Sequence, residues 1–221
     1  MLMRGVLALI GFGFFTAVAA QNAPAPAPAA GAWVEGKNYF VIDPPQPTET
    51  AGKVEVLEVF SYGCPHCNEF QQIAENIKKA LPAGATFRLL PTEFGRDAWK
   101  TFARGYYAAE ALGILDKTHV ALFKAIYVDK KVNIMAPTLE EIAAVYATAA
   151  GVKADDVIAT ANSFAVNTKL KRAEAFVKAT GVDGTPTFVI NGKYRLDGRS
   201  AGSFQALQEL IKFLVAKEGA K

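Results

Sequence analysis

Cysteine and histidine are scarce in this sequence, and their scarcity limits the kinds of site that it can build. The 221 residues include two cysteines and two histidines. A structural zinc site needs four nitrogen or sulfur ligands in a tetrahedral arrangement, and a scaffold held by disulfides needs several cysteine pairs. The composition therefore disfavours both classes, and we expect neither a metal nor another cofactor.

An excess of charge of one sign is also missing. The chain has 24 basic and 21 acidic residues, a formal net charge of +3. The basic residues are scattered, so neither their number nor their placement indicates nucleic-acid binding. About half of the residues, 51%, are apolar. That share is sufficient for the core of one domain, or of a domain that carries an insertion.

The one notable apolar run lies near the amino terminus. Residues 1–4 give a short positive start, residues 6–20 are apolar, and small residues around Ala19 and Ala20 offer cleavage sites. The run falls short of the roughly 20 residues that span a bilayer. We therefore predict a signal peptide over residues 1–20, cleaved after Ala19 or Ala20, rather than an uncleaved membrane anchor. An Ala/Pro-rich spacer over residues 21–36 should follow it.

The two cysteines form the motif Cys64-Pro65-His66-Cys67. As a structural bridge, this pair would close a very short loop, which stabilises a fold by about 2 kcal/mol, whereas a loop of a hundred residues gives nearly ~5 kcal/mol. Stabilisation alone is thus a poor reason for the pair, even in the oxidising compartment that an exported protein enters. Redox chemistry is the better interpretation.

The pattern of elements indicates a small α/β domain that is interrupted by helices. Residues 54–60 predict a buried strand, residues 65–80 a helix and residues 86–90 a parallel strand, so the dithiol lies at the carboxyl end of the first strand. Residues 97–181 have helical periodicity, and the Asn-Gly pair after residue 190 predicts a β-hairpin. We predict a domain formed by residues 37–96 and 182–221, with a helical domain inserted over residues 97–181.

The position of Cys64 at a helix start suggests the chemistry of the pair. Amides and partial positive charge at a helix start stabilise an anion, so the pKa of Cys64 should fall. His66 can favour the thiolate further, although on its own it could be an ordinary exposed histidine. Cys67 is then the resolving thiol. The other histidine, His119, is expected on a helix surface or at a helix start, and Trp33 and Trp99 are expected to be packing residues.

Glu58 is unusual for its position in a strand. It shares parity with the apolar Val56 and Phe60 and should point into the core, where a carboxylate is costly. A solvent-facing acid is the alternative, and Glu55 on the opposite parity could be one. We favour a buried acid with a raised pKa that exchanges protons with Cys67.

Two segments closely resemble the periplasmic DsbA family: residues 56–67, VLEVFSYGCPHC, and residues 184–194, GTPTFVINGKY. The resemblance implies a thioredoxin-like fold with an inserted helical domain, and oxidation of dithiols in reduced, unfolded exported proteins of the periplasm. It also implies a membrane reoxidase of the DsbB type and a monomer. Pro186, whose isomer the sequence leaves open, should be cis, and Thr185 should present its backbone to the client.

The sequence departs from this family at two positions. Some members have a lysine near the buried acid, where this chain has Leu89, with Arg88 facing the other way. Some members also have a bulky aromatic residue before the first cysteine, where this chain has Gly63. These departures concern the partner of Glu58 and the shape of the client groove.

Two other functions compete with a monomeric oxidase. A disulfide isomerase or reductase of the DsbC type would carry an amino-terminal dimerisation module, and only the spacer and a few residues precede Tyr39. A peptide-binding chaperone could use the helical domain while its cysteines are incidental. The motif and its setting favour a thiol:disulfide oxidoreductase.

Overall fold

The computed structural model describes residues 33–219. The predicted signal peptide and most of the predicted spacer lie outside these residues. The strands and helices follow in chain order: β1 (Phe40–Val41), β2 (Val54–Phe60), α1 (Pro65–Ala80), β3 (Ala85–Pro91), α2 (Asp97–Ala111), α3 (Leu115–Tyr127), α4 (Leu139–Ala150), α5 (Ala154–Ala161), α6 (Phe164–Thr180), β4 (Thr187–Ile190), β5 (Tyr194–Asp197), α7 (Gly198–Ala201) and α8 (Phe204–Gly219).

Strand β2 lies inside the sheet, whose strand order is β1-β5-β4-β2-β3. It pairs in parallel with β3 and antiparallel with β4. All of its residues are buried, as expected of a strand with both faces covered. The predicted strand–helix–strand unit is therefore present, with the dithiol directly after β2.

Helices cover the two faces of the sheet in different ways. Val56 of β2 belongs to a core cluster with residues of α1 and α8. Leu57 and Val59 belong to a second cluster with residues of α2 to α6. Successive side chains of a strand point to opposite faces, so β2 is buried between the closing helices on one side and the inserted helices on the other.

The hairpin between β4 and β5 has the predicted turn. Asn191 and Gly192 have positive φ values of 51° and 67°, the conformation that favours Asn-Gly in a two-residue turn. A Cβ atom on Gly192 would lie 1.9 Å from the carbonyl oxygen of Gln46. Glycine is therefore required here by the close approach of a neighbouring chain segment as well as by the turn.

Trp33 is a packing residue, as expected: it is 9% exposed and packs in the cluster with α1 and α8. The packed structure therefore already includes the end of the predicted spacer. The short helix α7 follows β5 and was not predicted. Among residues 33–219, no helix is long and apolar enough to cross a membrane.

Candidate active site

Cys64 and Cys67 lie at the beginning of α1, and both are free thiols in the structure. Cys64 is the residue that caps the helix, in an extended backbone conformation, and Pro65 occupies the first turn. Proline fits there because the first amides of a helix have no intrahelical acceptor. The backbone amides of that turn are therefore available to the Cys64 sulfur.

Hydrogen-bond donors converge on the Cys64 sulfur. The largest cause of its lowered pKa is a hydrogen bond from the Cys67 thiol, and the Thr185 side chain and the backbone amides of Cys67 and His66 add to it. Burial opposes the shift. The Cys64 sulfur is also 3.4 Å from the Thr185 carbonyl oxygen, to which the thiol form donates. The donors prevail, and the pKa of Cys64 falls from 9.0 to about 5. His66 acts through its backbone, and its side chain is exposed.

Cys67 lies in the opposite environment, 2% exposed inside the first turn of α1. Burial is the largest cause that raises its pKa well above 9.0, and its hydrogen bond to Cys64 and the negative charge of Glu58 raise it further. The two sulfurs of one motif thus favour different forms at neutral pH, a thiolate at Cys64 and a thiol at Cys67.

Glu58 is buried, as predicted, at 4% exposure. It pairs with Leu89 of β3 and Phe188 of β4 in the sheet. Burial raises its pKa from 4.5 to about 8, and the charge of the Cys64 thiolate adds to the shift. No lysine or arginine forms an ion pair with Glu58 within residues 33–219, and Leu89 occupies the strand position beside it.

A cavity of about 620 Å³ separates α1 from α3, and both Glu58 and Cys67 line it. Its walls also include Lys78 and Asp116, which are exposed. Because the same cavity reaches buried and exposed side chains, it gives the carboxyl group of Glu58 a path along which protons can exchange with solvent.

The sequence suggested that His119 lies on a helix surface or at a helix start; it is half-buried, with its ring packed against Phe60, Tyr62 and Phe123. It lies within α3, and its Nδ1 atom is 2.9 Å from the hydroxyl of Tyr62. Burial, followed by the charge of Lys78, lowers its pKa to about 4. Tyr127 donates to the Tyr62 carbonyl oxygen at 3.1 Å. Helix α3 therefore contacts both the side-chain hydroxyl and the backbone carbonyl of Tyr62, which is fully buried two positions before Cys64.

Glu55 was suggested as a solvent-facing acid, and this suggestion was wrong. Its exposure is 2%. Arg88 donates to its carboxylate at 3.0 Å, and the Glu49 amide and the Thr50 hydroxyl donate at 3.1 and 3.2 Å. The side of β2 that carries Glu55 is covered because the inserted helices pack on it, which strand periodicity does not show. Arg88 does face away from Glu58, as predicted.

The loop before β4 lies against the dithiol. The Thr185–Pro186 peptide bond is cis, in agreement with the resemblance, and the Thr185 carbonyl oxygen is in contact with Cys64. A cavity of about 570 Å³ adjoins this loop and is lined by His66, Pro186 and Phe204 among others. The second cis bond, Asp43–Pro44, was not expected.

Gly63 is in close contact with Trp99 of α2. A Cβ atom at residue 63 would lie 2.4 Å from the Nε1 atom of the indole. Sequence reasoning could not detect this contact, because the residues are 36 positions apart and Trp99 resembled any other packing residue. The ring fills the place where a side chain at residue 63 would stand.

No group of three or more His, Cys, Asp and Glu side chains in the described part of the chain is arranged to hold a metal ion. The structure brings together the two thiols, the buried acid and the proline loop at this site. A dithiol at a helix start beside a cis-proline loop is the site of a thioredoxin-like thiol:disulfide oxidoreductase.

Comparison with known proteins narrows this class to one family. The family model for the DSBA-like thioredoxin domain matches residues 55–212. The thiol:disulfide interchange protein DsbA of Pseudomonas aeruginosa PAO1 is 36% identical over 188 residues, which are 85% of this chain and 87% of that protein. The chain belongs to the DsbA-like family, and it is a protein dithiol oxidase.

Solved structures agree with this assignment. The oxidoreductase DsbA from Xylella fastidiosa superposes with a TM-score of 0.80 at 35% identity, over 85% of this chain and 98% of that one. A DsbA from Proteus mirabilis, crystallised with the non-covalently bound peptide PWATCDS, gives a TM-score of 0.68 at 27% identity, over 83% and 98% of the two chains. The isomerase and chaperone alternatives are not favoured by these relatives.

Proposed function

We propose that Cys64 is the nucleophile and leaving group of the exchange, that Cys67 is the resolving thiol, and that the clients are reduced, unfolded exported proteins. The opposed pKa shifts of the two sulfurs carry this proposal. The pKa of Cys64 is lowered to about 5, whereas that of Cys67 is raised well above 9.0. A stable thiolate is a good leaving group in disulfide exchange, so electrons flow from the client to this pair.

The exchange has two steps. A client thiolate attacks the Cys64 sulfur of the oxidised form, so that a client–Cys64 disulfide forms and the Cys64–Cys67 bond breaks. The electron pair of the broken bond remains on the Cys67 sulfur, which takes up a proton. A second client thiolate then attacks the client sulfur and releases Cys64 as a thiolate. The client loses two electrons and the Cys64–Cys67 pair gains them.

Glu58 supplies the proton that Cys67 takes up. With a pKa of about 8, it is mostly protonated at neutral pH, and a group with a pKa near the working pH is well suited to proton transfer. It lines the same cavity as Cys67. The carboxylate that remains can be reprotonated from solvent along that cavity, and in the reverse reaction it accepts the proton of Cys67.

Thr185 and Pro186 contribute the client-binding loop. The loop lies beside Cys64 and adjoins an open cavity, and extended peptides often bind through backbone hydrogen bonds. The peptide complex of the Proteus mirabilis protein supports a peptide client. His66 and Pro65 complete the site, with Pro65 fixing the start of the helix that presents the sulfur.

The compartment and the partner follow from the predicted signal peptide and the family. We place the protein in the periplasm as a monomer, where a membrane oxidant of the DsbB type returns the Cys64–Cys67 pair to the disulfide. The thioredoxin-like domain over residues 37–96 and 182–221 carries the dithiol, and the inserted domain over residues 97–181 covers it.

The roles of the two cysteines can be tested by alkylation of the reduced protein at pH 6. A thiolate reacts and a thiol does not, so we expect Cys64 to be modified and Cys67 to stay unmodified, as read by peptide mass after digestion. The variant Cys67→Ser should still react at residue 64. Equal modification of both cysteines, or no reaction below pH 7, would contradict the assignment. Oxidation of a reduced client protein by the disulfide form then tests the activity itself.

A further inference from the structure

The indole of Trp99 forms part of the surface directly beside the reactive cysteine. Its Nε1 and Cδ1 atoms would lie 2.4 and 2.7 Å from a Cβ atom on Gly63, the residue before Cys64. Because these distances are shorter than any real contact, the ring can lie this close only when residue 63 is glycine. The inserted helical domain thus contributes an aromatic ring to the edge of the active site.

Arg96 stacks on this ring. Its guanidinium carbon is 4.5 Å from the ring centroid, and on the same ring Phe94 packs with a centroid distance of 6.0 Å. Arg96 is exposed and Trp99 is half-buried. Stacking on an aromatic face leaves the N–H groups at the edge of a guanidinium available to bind a planar acceptor.

The side-chain hydrogen-bonding groups of Arg96 and Trp99 have no partner within residues 33–219. Among these residues Arg96 forms no ion pair, not even with its neighbour Asp97, and the indole N–H of Trp99 has no acceptor. On the other side of the dithiol, by contrast, Arg199 is 3.4 Å from Asp197 and 3.9 Å from Asp183. The cation stacked on Trp99 is therefore available, whereas the cation beside the proline loop already has carboxylates within ion-pair distance.

We propose that Arg96 and Trp99 form a client-recognition surface that favours clients with an aspartate or glutamate next to the reacting cysteine. A carboxylate there can accept from the guanidinium and from the indole N–H, which are charge-assisted hydrogen bonds of the stronger kind. This inference rests on the proposed function, because it concerns which clients reach the Cys64 sulfur. It also gives a reason for glycine at residue 63, since a larger residue would displace the ring that supports the guanidinium.

The test uses single-cysteine peptides that differ only in the residue after the cysteine, which is Asp, Ser or Lys. Each peptide's rate constant with the oxidised protein is divided by its rate constant with an uncharged disulfide, hydroxyethyl disulfide, because a neighbouring charge also changes the reactivity of the peptide thiol itself. At low ionic strength we expect the corrected Asp/Lys ratio to be about ten for the unaltered protein, the effect of one good charge-assisted contact. In 0.5 M salt the ratio should fall towards one.

Three variants locate the origin of that ratio. Arg96→Gln removes the charge and should bring the ratio to about one, and Trp99→Ala should lower it as well. Lys100→Gln removes an exposed charge from the same helix and should keep the ratio. A ratio of one in the unaltered protein, or equal losses in the Arg96 and Lys100 variants, would overturn the proposal. If the Ser peptide is not oxidised at all, the proposed function fails instead.

Discussion

Two carboxyl groups on one strand show how burial can lead to different outcomes. Glu55 and Glu58 are three residues apart on β2, and both are almost inaccessible to solvent. Glu55 is held by Arg88 and by two further donors. Glu58 has no cation beside it among the described residues and instead lines a cavity with Cys67. The carboxylate of Glu55 is held in place by its partners, whereas Glu58, buried without a cation, has a pKa raised to about 8 and can exchange its proton near neutral pH.

Removing the cation of Glu55 should have the largest effect on stability. Arg88→Met leaves a buried carboxylate with two donors and no positive charge, and a broken buried pair of this kind costs about 3–5 kcal/mol. Chemical unfolding of the oxidised form at pH 7 measures the loss. The double variant Arg88→Met/Glu55→Gln should recover part of it. If the single variant loses less than ~1 kcal/mol, Arg88 is not what stabilises Glu55.

The raised pKa of Glu58 predicts a pH dependence of stability. The folded pKa of about 8 exceeds the ordinary value of 4.5. The stability that Glu58 contributes in its neutral form is therefore fully present below pH 4.5 and is lost as pH rises towards 8. The cost at pH 7 is about 3 kcal/mol. We expect the difference in unfolding free energy between the reduced wild type and reduced Glu58→Gln to change by that amount from pH 4.5 to 7. Parallel curves would show that Glu58 is not a neutral acid in the folded protein.

The two acids should also differ in catalysis. In Glu58→Gln, the attack of Cys67 on a Cys64–glutathione mixed disulfide should be slower by about 100-fold, since assisted proton transfer is worth that much or more. Formation of the same mixed disulfide from reduced protein and glutathione disulfide should change less, because Cys64 attacks as a thiolate. Glu55→Gln is the matched control and should leave the rate of Cys67 attack on the mixed disulfide nearly unchanged. Equal slowing of both steps by Glu58→Gln would remove the proton-transfer role.

The smallest effect concerns the redox state, which alters the surroundings of Glu58 because the Cys64 thiolate is lost on oxidation. The pKa of Cys64 is depressed from 9.0 to about 5. The stability that the Cys64 thiolate contributes to the reduced protein is therefore fully present above pH 9 and is lost as pH falls through 5. At pH 7 it amounts to about 2.7 kcal/mol, against about 2 kcal/mol from closing the short disulfide loop.

The reduced protein should therefore be more stable than the oxidised one by about 1 kcal/mol at pH 7. The order should reverse at about pH 6.5, and at about pH 5.5, where the thiolate contributes only about 0.8 kcal/mol, the oxidised form should be the more stable one. Unfolding curves of both forms at the two pH values measure this. An oxidised form that is the more stable one at pH 7 and above would indicate a structural bridge or a reductase.

The comparison of Glu55 and Glu58 also shows how far sequence reasoning reaches. Strand parity correctly separated the two side chains and correctly indicated that Glu58 is buried. It could not show that the second face is covered too, because that depends on helices packed from residues far along the chain. Pairing of Glu55 with Arg88 across 33 positions requires the register of β2 and β3, which neither strand specifies alone.

The sequence by itself determined the features that depend on neighbouring residues: the dithiol at a helix start, the strand before it, the Asn-Gly hairpin and the resemblance to one family. Tertiary structure alone decided the contacts between residues that are far apart in the sequence. Trp99 reaches Gly63, His119 and Tyr127 hold Tyr62, and Arg88 neutralises Glu55. The physical reason is that local propensities act within a few residues, whereas the acidity of a buried group and the shape of a groove depend on whichever distant side chains packing brings beside them.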